Sequence, residues 1–482
     1  MFKTKKLHPI AAITFFFKSL KDVIIPIILF IILNTNTDRN SFIFWGLTGI
    51  VLTGLLMISI IRWYRFSYEI TDNQIKIVQG LFVKKNRYIP FERIQSIDIQ
   101  EGIIHRFFQL ALVKIETAGS SGLEESDAIL AAIPKTEAFS IKEYINSVKH
   151  QKIDIENESD NEHTGKIIYQ MPNREIFMFA VTSGGVGVII SAVFAFLSQF
   201  DEFIPFESVF EGIKEFIKNS IFLISLTVFI FLLIAYILAI IITFIKYYSF
   251  TVRKIKDDLI ISRGLLEKKE LTIPLSRIQA IRVEQSIIRH LFGYVTVYIE
   301  SAGGSVTNNE SINIMLLPLI KKSKLKKYIE ECLPEYTIDV ELTGAPRRSA
   351  KRYMLRTSLI SLPIIGGLSY FHFPWGLFSF ALLPLTIYWG YLSYLAAGWN
   401  ISNKQLVLRH RIISTTTFYL PRNRIQDINI TQTIFQKKSK VGSISAFIKS
   451  GGIGKKGIAV DLSISDINNI YKWLSQEDKT LS

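Results

Sequence analysis

The sequence predicts a membrane α-helical protein. About six transmembrane helices in three hairpins alternate with three water-facing β-sandwich or barrel domains, each ending in a helix. Three observations predict it. Residues are 49% hydrophobic and 20% charged over 482 positions. The charged ones are segregated from long uncharged runs, whereas a soluble globule spreads about a quarter charged residues evenly. Several runs reach the roughly 20 apolar residues that cross a bilayer. A strand-rich segment recurs three times between those runs.

The spans come first. Ser41 to Ile61, Ile176 to Phe200, Ile221 to Ile245 and Thr357 to Trp399 are long and uncharged. The last exceeds one crossing and holds Pro374, which predicts two helices joined near His372–Trp375. A shorter run, Val23 to Asn34, predicts a sixth helix that begins earlier, with Lys18 and Lys21 snorkelling to the interface. Lys3, Lys5 and Lys6 precede no cleavage-type small residues, so the N-terminus is expected to be a retained anchor.

Orientation follows from charge. Of 56 Lys and Arg, only Arg39, Lys214 and Lys218 fall in the short hairpin connectors. Arg62, Arg65, Lys246, Arg352 and Arg356 flank the opposite helix ends. The positive-inside rule puts both termini and all three large segments in the cytoplasm. The net charge of +15 is read the same way, as attraction to anionic lipid rather than nucleic acid. A lone Cys332 excludes an internal disulfide framework and a Cys-based metal cluster.

The repeats carry most of the information. Ile89-Pro90 to Phe108 realigns with Ile273-Pro274 to Phe292 at an offset of 184, without a gap from Gly80/Gly264 to Gly119/Gly303. A third copy follows at an offset of 147, centred on Arg424-Ile425-Gln426. One inserted residue later brings Gly451-Gly452 into line with Gly303-Gly304. Short β-branched or aromatic stretches such as Tyr64–Ile70, Ile75–Val78, Ile94–Ile99 and Leu112–Glu116 read as strands, with Asp72-Asn73, Asp257-Asp258 and Asn403-Lys404 as turns. Each copy closes on an apolar helical stripe: Ile141, Ile145, Val148; Leu325, Ile329, Cys332, Leu333; Ile467, Ile470, Tyr471, Leu474.

The order helix hairpin, strand pair ending in Gly, Pro-x-x-Arg-Ile-Gln, then Arg-Phe-Phe or Leu-Phe-Gly resembles the bacterial pleckstrin-homology-like multi-pass membrane proteins. The resemblance implies a pleckstrin-homology-like (PH-like) fold for each copy and a membrane location. It also implies a setting in envelope stress or antimicrobial-peptide tolerance, with a smaller member of the same family as a partner. The third copy departs from the pattern: Arg411 replaces the turn glycine and Gln436-Lys437-Lys438-Ser439 replaces Leu-Phe-Gly. The expected organisation is hairpin 1–62, PH-like domain 63–150, polar linker 151–173, hairpin 174–246, PH-like domain 247–334, linker 335–353, hairpin 354–397 and PH-like domain 398–482.

Enzyme signatures are absent: no metal-type histidine pair and no nucleophile elbow. Neither a catalytic residue nor a cofactor is expected. Gly451 to Gly457 resembles a phosphate loop, but Lys449 stands where Gly is required and Lys456 where Ser or Thr is required, so a hairpin turn is the expectation. Arg93, Gln95, Arg277, Gln279, Arg424 and Gln426 recur as structural motif residues. From Ala397 onward there are 13 Lys and Arg against five Asp and Glu. Arg409, Arg411, Lys437, Lys438, Lys440, Lys455 and Lys456 are therefore the candidate anionic-lipid contacts. The expected function is a non-enzymatic scaffold or adaptor whose domains contact proteins or lipids. Its rival is export of a lipid or peptide through the bundle, against which stands the lack of ionisable residues at the helix centres. Nucleic-acid binding would need aromatic residues among the basic ones, which Lys437-Lys438-Ser439-Lys440 and Lys455-Lys456 lack.

Overall fold

The computed structural model describes residues 4–34, 41–117, 128–150, 165–183, 221–302, 313–402, 404–450 and 454–475. The first copy opens with α1 (Ile10–Asn34) and α2 (Ser41–Arg65), which pack on each other. As the lysines required, α1 starts well before Val23. There follow β1 (Ser67–Ile70), β2 (Gln74–Gln79), β3 (Lys85–Pro90), β4 (Ile94–Glu101), α3 (Ile103–Phe107), β5 (Leu110–Thr117), β6 (Ala128–Pro134) and α4 (Lys135–His150).

The second copy repeats the order with a strand added in front. It runs β7 (Lys166–Gln170), α5 (Asn173–Thr182), α6 (Ile221–Tyr247), β8 (Thr251–Ile255), β9 (Asp258–Arg263), β10 (Lys268–Pro274), β11 (Ile278–Gln285), α7 (Ile287–Leu291), β12 (Tyr294–Ser301), β13 (Ile314–Lys321) and α8 (Lys322–Cys332). The third has β14 (Thr343–Gly344), α9 (Ala350–Phe371), a 3-10 segment Trp375–Ala381, α10 (Leu382–Ala396), β15 (Gly398–Ser402), β16 (Gln405–Arg411) and β17 (Thr415–Pro421). It continues with β18 (Ile425–Thr431), α11 (Ile434–Lys438), β19 (Val441–Ile448), β20 (Lys455–Ser463) and α12 (Ile464–Ser475).

Six crossings are expected, and three helices among the described residues are long and apolar enough: Phe229–Tyr247, Arg347–Phe371 and Trp375–Ala396. The break in the long third run falls at residues 372–374, where Pro374 interrupts it. Of the expected span Ile176 to Phe200 only α5 is described. The rest of that span, its glycines and its connector lie outside the described residues. The expected linkers are not plain linkers either, because β7 and β14 fall inside them.

The chain divides into two compact units. One holds Met1–Lys166 with Ile255–Pro274; the other holds Ile167–Lys254, Leu275–Ala302 and Asn308–Ser482. In the first, β1-β2-β3 form one antiparallel sheet, and β6-β5-β4-β10-β9 run in order in a second. Period-two burial in β1 and β2 sends Tyr68, Ile70, Ile75 and Ile77 inward to meet Ile97, Ile99, Val113, Ile115, Leu130 and Ile133 of the other sheet. Ile141 and Ile145 of α4 close this core, with Val148 at its margin.

In the second unit the order is β13-β12-β11-β17-β16-β15-β14, beside a separate sheet β18-β19-β20. Leu406, Leu408, Phe418 and Leu420 face Ile444, Ala446, Ala459 and Leu462. The stripes of α8 (Leu325, Ile329, Cys332) and α12 (Ile467, Ile470) are buried, but Tyr471 is exposed and Trp473 packs in its place. From Ile470 the core is reached again three residues on, at Trp473, and Tyr471 lies off that line.

Each pairing of β4 with β10, and of β11 with β17, joins two copies of the repeat. Neighbouring domains therefore share a hydrogen-bonded sheet as well as a chain.

Candidate membrane-facing interface

Each domain is tied to its own hairpin by the same three contacts. The segment before the first hairpin helix pairs with the first strand after the hairpin. This occurs as the bridge Lys5↔Tyr68, as the bond from the Met171 amide to the Phe250 carbonyl at 2.9 Å, and as the pairing Thr343↔Trp399. A proline then starts the helix: Pro9, Pro172 or Pro346, each accepting an i+3 amide. Proline suits a first turn because its missing N–H would have no partner there. Finally, a carbonyl in the last strand accepts a bond from the hairpin entry: His8 N to Ala132 O at 3.0 Å, Tyr169 Oη to Leu319 O at 2.9 Å, and Ser349 Oγ to Asp461 O at 2.6 Å.

Against that frame sits the short helix after the central strand. α3, α7 and α11 occupy equivalent positions, and each buries one polar residue: His105, Arg289 or Gln436. Arg289 donates to Thr182 Oγ1 at 3.1 Å and to Thr296, and lies 4.9 Å from the Phe179 ring centre. Gln436 donates to Ser443 Oγ and Asp461 Oδ1, both at 2.8 Å, and completes a capping box with Thr433. The polar anchor turns the apolar side chains outward: Ile103 and Phe107, Ile287 and Leu291, Ile434 and Phe435. Phe107 is 82% exposed and Phe435 74%.

Apolar loop tips lie with them. Phe82 and Val83, Leu265 and Leu266, and Ile412 and Ile413 are exposed between the second and third strands of each copy. Arg65, at the end of α2, donates to the Leu81 carbonyl. Arg106 of α3 donates to the Leu265 carbonyl. Trp389, two turns inside α10, donates to the Ile412 carbonyl at 2.8 Å. A loop held beside the second turn of a spanning helix lies at the depth where aromatic and aliphatic side chains enter the headgroup boundary. α11 is held likewise at the base of α9, through Arg352 to Phe435 O at 2.6 Å and Arg348 to Lys440 O at 3.0 Å.

The seven candidate lipid contacts are not one patch. Lys437, Lys438 and Lys440 surround the α11 tip. Lys455 and Lys456 begin β20 opposite Ile448, whereas α11 meets the Val441 end of β19. Eight strand residues, about 25 Å, separate the two clusters. Lys455 Nζ instead reaches Asn313 Oδ1 at 3.1 Å, and Lys456 lies over Phe447. Arg409 turns inward to the Ala396 carbonyl at 2.6 Å, where burial lowers its pKa, and Arg411 lies 5.0 Å from the Trp389 ring. Of the seven, those beside the spanning helices are Lys437, Lys438 and Lys440, next to Ile434 and Phe435, and Arg411, over Trp389 of α10.

The recurrent motif residues sit at the 3-10 turn that opens each central strand. Arg277 contributes its carbonyl, which accepts from Gln279 Nε2 at 3.0 Å and Ala302 N at 2.9 Å. Gln279 is buried and Gln426 exposed; Arg93 is exposed and Arg424 half-buried. Gln95 starts β4. The phosphate-loop lookalike lies between β19 and β20, which pair across it as a hairpin, with Ile448 opposite Lys455. Sequence reasoning missed the apolar tips because Phe107-Phe108 and Leu291-Phe292 served only to align the copies. Their signal was two adjacent large apolar residues beside a basic one.

Comparison with known proteins accords with the threefold architecture. The family model described as Bacterial PH domain matches residues 21–149, 205–332 and 359–478. The chain is 38% identical over 493 residues, 99% of both proteins, to UPF0699 transmembrane protein YdbT of Bacillus subtilis (strain 168). It is 30% identical over 95 residues to UPF0699 transmembrane protein YdbS of the same organism, which covers 18% of this chain and 59% of that protein. No solved structure matches it. Three repeats of one model, on the residues that repeat the same order of hairpin, strands and closing helix, make this chain a transmembrane member of the bacterial PH domain family.

Proposed function

We propose that the protein is a non-enzymatic scaffold of the bacterial cell membrane, with six helices in three hairpins and the termini and PH-like domains on the cytoplasmic side. The observation that carries this reading is the sharing of sheets between copies, β4 with β10 and β11 with β17. A domain that docks by strand pairing on another of its own kind is a protein-contact module. The apolar tips and Lys437, Lys438 and Lys440 supply the lipid contact. In this reading the protein partner is another member of the family, with smaller single-domain members among the candidates. The setting is envelope stress or tolerance of antimicrobial peptides.

The test is a crosslinking pull-down of the tagged full-length chain from native membranes, identifying proteins and lipids together. A reproducible protein partner, lost when one PH-like domain is removed, is expected. Retention of only a lipid or peptide by the hairpins without the domains would move the function to export through the bundle.

A further inference from the structure

Two strand edges carry the inference, one in each unit. In the first unit β4 pairs with β10: Lys268 opposite Glu101, Lys269 opposite Gln100, Glu270 opposite Ile99. In the second β11 pairs with β17, from Ile281 opposite Tyr419 to Gln285 opposite Thr415. The repeat offsets of 184 and 147 convert one register into the other without a shift. The same interface is thus made twice.

Its two halves each occur once more. β18 is the central strand of the third copy and has β19 on one side, with no strand neighbour on the other among the described residues. β3, equivalent to β10 and β17, has β2 as its one strand neighbour among the described residues. Burial follows pairing. Ile97, Asp98 and Ile99 of β4 and Ile281, Arg282 and Val283 of β11 are buried, whereas Asp427, Asn429, Ile430 and Thr431 of β18 are exposed. Tyr419 is buried in its junction, while its equivalent Tyr88 is 55% exposed. Proteins ordinarily protect an edge strand with bulges, prolines or inward charges. β18 has an irregularity between Ile425 and Asp427, yet beyond it the strand presents an exposed Ile430.

We propose that β18 of one molecule pairs antiparallel with β3 of a second copy of this chain, in the register of the internal junctions. Lys85 would lie opposite Thr431, Asn86 opposite Ile430 and Tyr88 opposite Ile428. The occupant is argued from continuity with the established junctions. β3 begins with Lys85, preceded by Lys84, where β10 carries Lys268-Lys269, and has Tyr88 where β17 carries Tyr419. β18 carries Ile428 and Ile430 where β11 carries Ile281 and Val283 and β4 carries Ile97 and Ile99. Both halves of the unmade interface therefore belong to this chain. The contact is head-to-tail, so each added copy offers a new edge until a ring closes. The proposal deepens the scaffold reading and rests on it.

Two full-length chains with different tags are co-expressed, one bearing Asn86→Cys and the other Ile430→Cys, and membrane vesicles are oxidised with copper phenanthroline. The native Cys332 is buried, and unsubstituted chains supply the background. A disulfide-linked product carrying both tags is expected, and it is lost when Ile430→Cys is replaced by the out-of-register Gln426→Cys. The absence of a doubly tagged product overturns the proposal, the more so if a third variant carrying both cysteines in one chain closes an intramolecular disulfide under the same oxidation. A photo-reactive residue at position 430 separates the two readings. Capture of a single-domain family member in place of a second copy overturns this proposal and leaves the scaffold standing; capture of no protein overturns both.

Discussion

Glu300 of β12 has no exposure to solvent and is held from two domains. Arg282 Nε donates to its Oε1 at 2.7 Å, and Ser450 Oγ, from the third copy, donates to its Oε2 at 2.9 Å. Removing one partner of a buried pair leaves the other charge uncompensated, at a cost of about 3 kcal/mol. Arg282→Ala should lower the unfolding free energy of the purified chain by that order, whereas Arg282→Met with Glu300→Leu should recover most of the loss. Asp98 gives a pH dependence. Burial, and then the Glu116 carboxylate, raise its pKa to about 7, although the Thr272 amide donates to it at 3.4 Å and Lys114 and Lys142 oppose the shift. The folded state thus holds this proton more tightly than an unfolded chain, whose Asp titrates near 4. Stability is fully present below that lower pKa and is lost as pH rises through about 7, by up to about 1.4 kcal/mol per unit. Protection of β4 amides from hydrogen exchange, corrected for intrinsic rates, should fall as pH rises from about 4 to about 7 and level off above it. Asp98→Asn should flatten the trend.

Among the elements, the short helices end alike. Gln109, Gly293 and Lys440 all have left-handed φ, at 53°, 68° and 52°. Their carbonyls accept from the first amide of the closing helix: Lys135 at 3.0 Å, Lys322 at 2.9 Å and Ile464 at 3.4 Å. One residue therefore ends α3, α7 or α11 and starts α4, α8 or α12. Only glycine takes this conformation without steric cost. Gly293→Ala should destabilise by about 1 kcal/mol, and Lys440→Gly should be neutral or stabilise by up to that amount. Thermal unfolding of full-length variants checks both signs. Gly80 and Gly264 mark another constraint, since an added Cβ would lie 1.9 Å from the carbonyl oxygen of Val83 or Glu267. Arg411 replaces them without a positive φ, so the third copy turns between β16 and β17 by a different route.

At the scale of the whole molecule, the proposed orientation makes a direct prediction. A cysteine replacing His372, between α9 and α10, should react with a membrane-impermeant maleimide in intact cells. One replacing Lys438 should react only after lysis, and the opposite pattern would invert the topology. Much of this architecture was legible in the sequence. The copies, their order after the hairpins, the break near Pro374 and the stripe Ile141, Ile145 are local or periodic signals, and a period survives in a single chain of letters. Tyr471 shows the limit, because neighbouring stripe positions are separated only by what the sheet presents to them.

What the sequence by itself determined, then, was the repeat, the alternation of membrane and aqueous segments, and the charge bias of their ends, since each is written in spacing and composition. Only the tertiary structure decided which strands meet. It assigned β4 to β10 and β11 to β17, parted Lys437 and Lys438 from Lys455 and Lys456 along β19, and left β3 and β18, among the described residues, with strand neighbours on one side. Pairing depends on contacts between residues far apart in the chain, and an equivalent strand reads the same in sequence whether it is covered or bare.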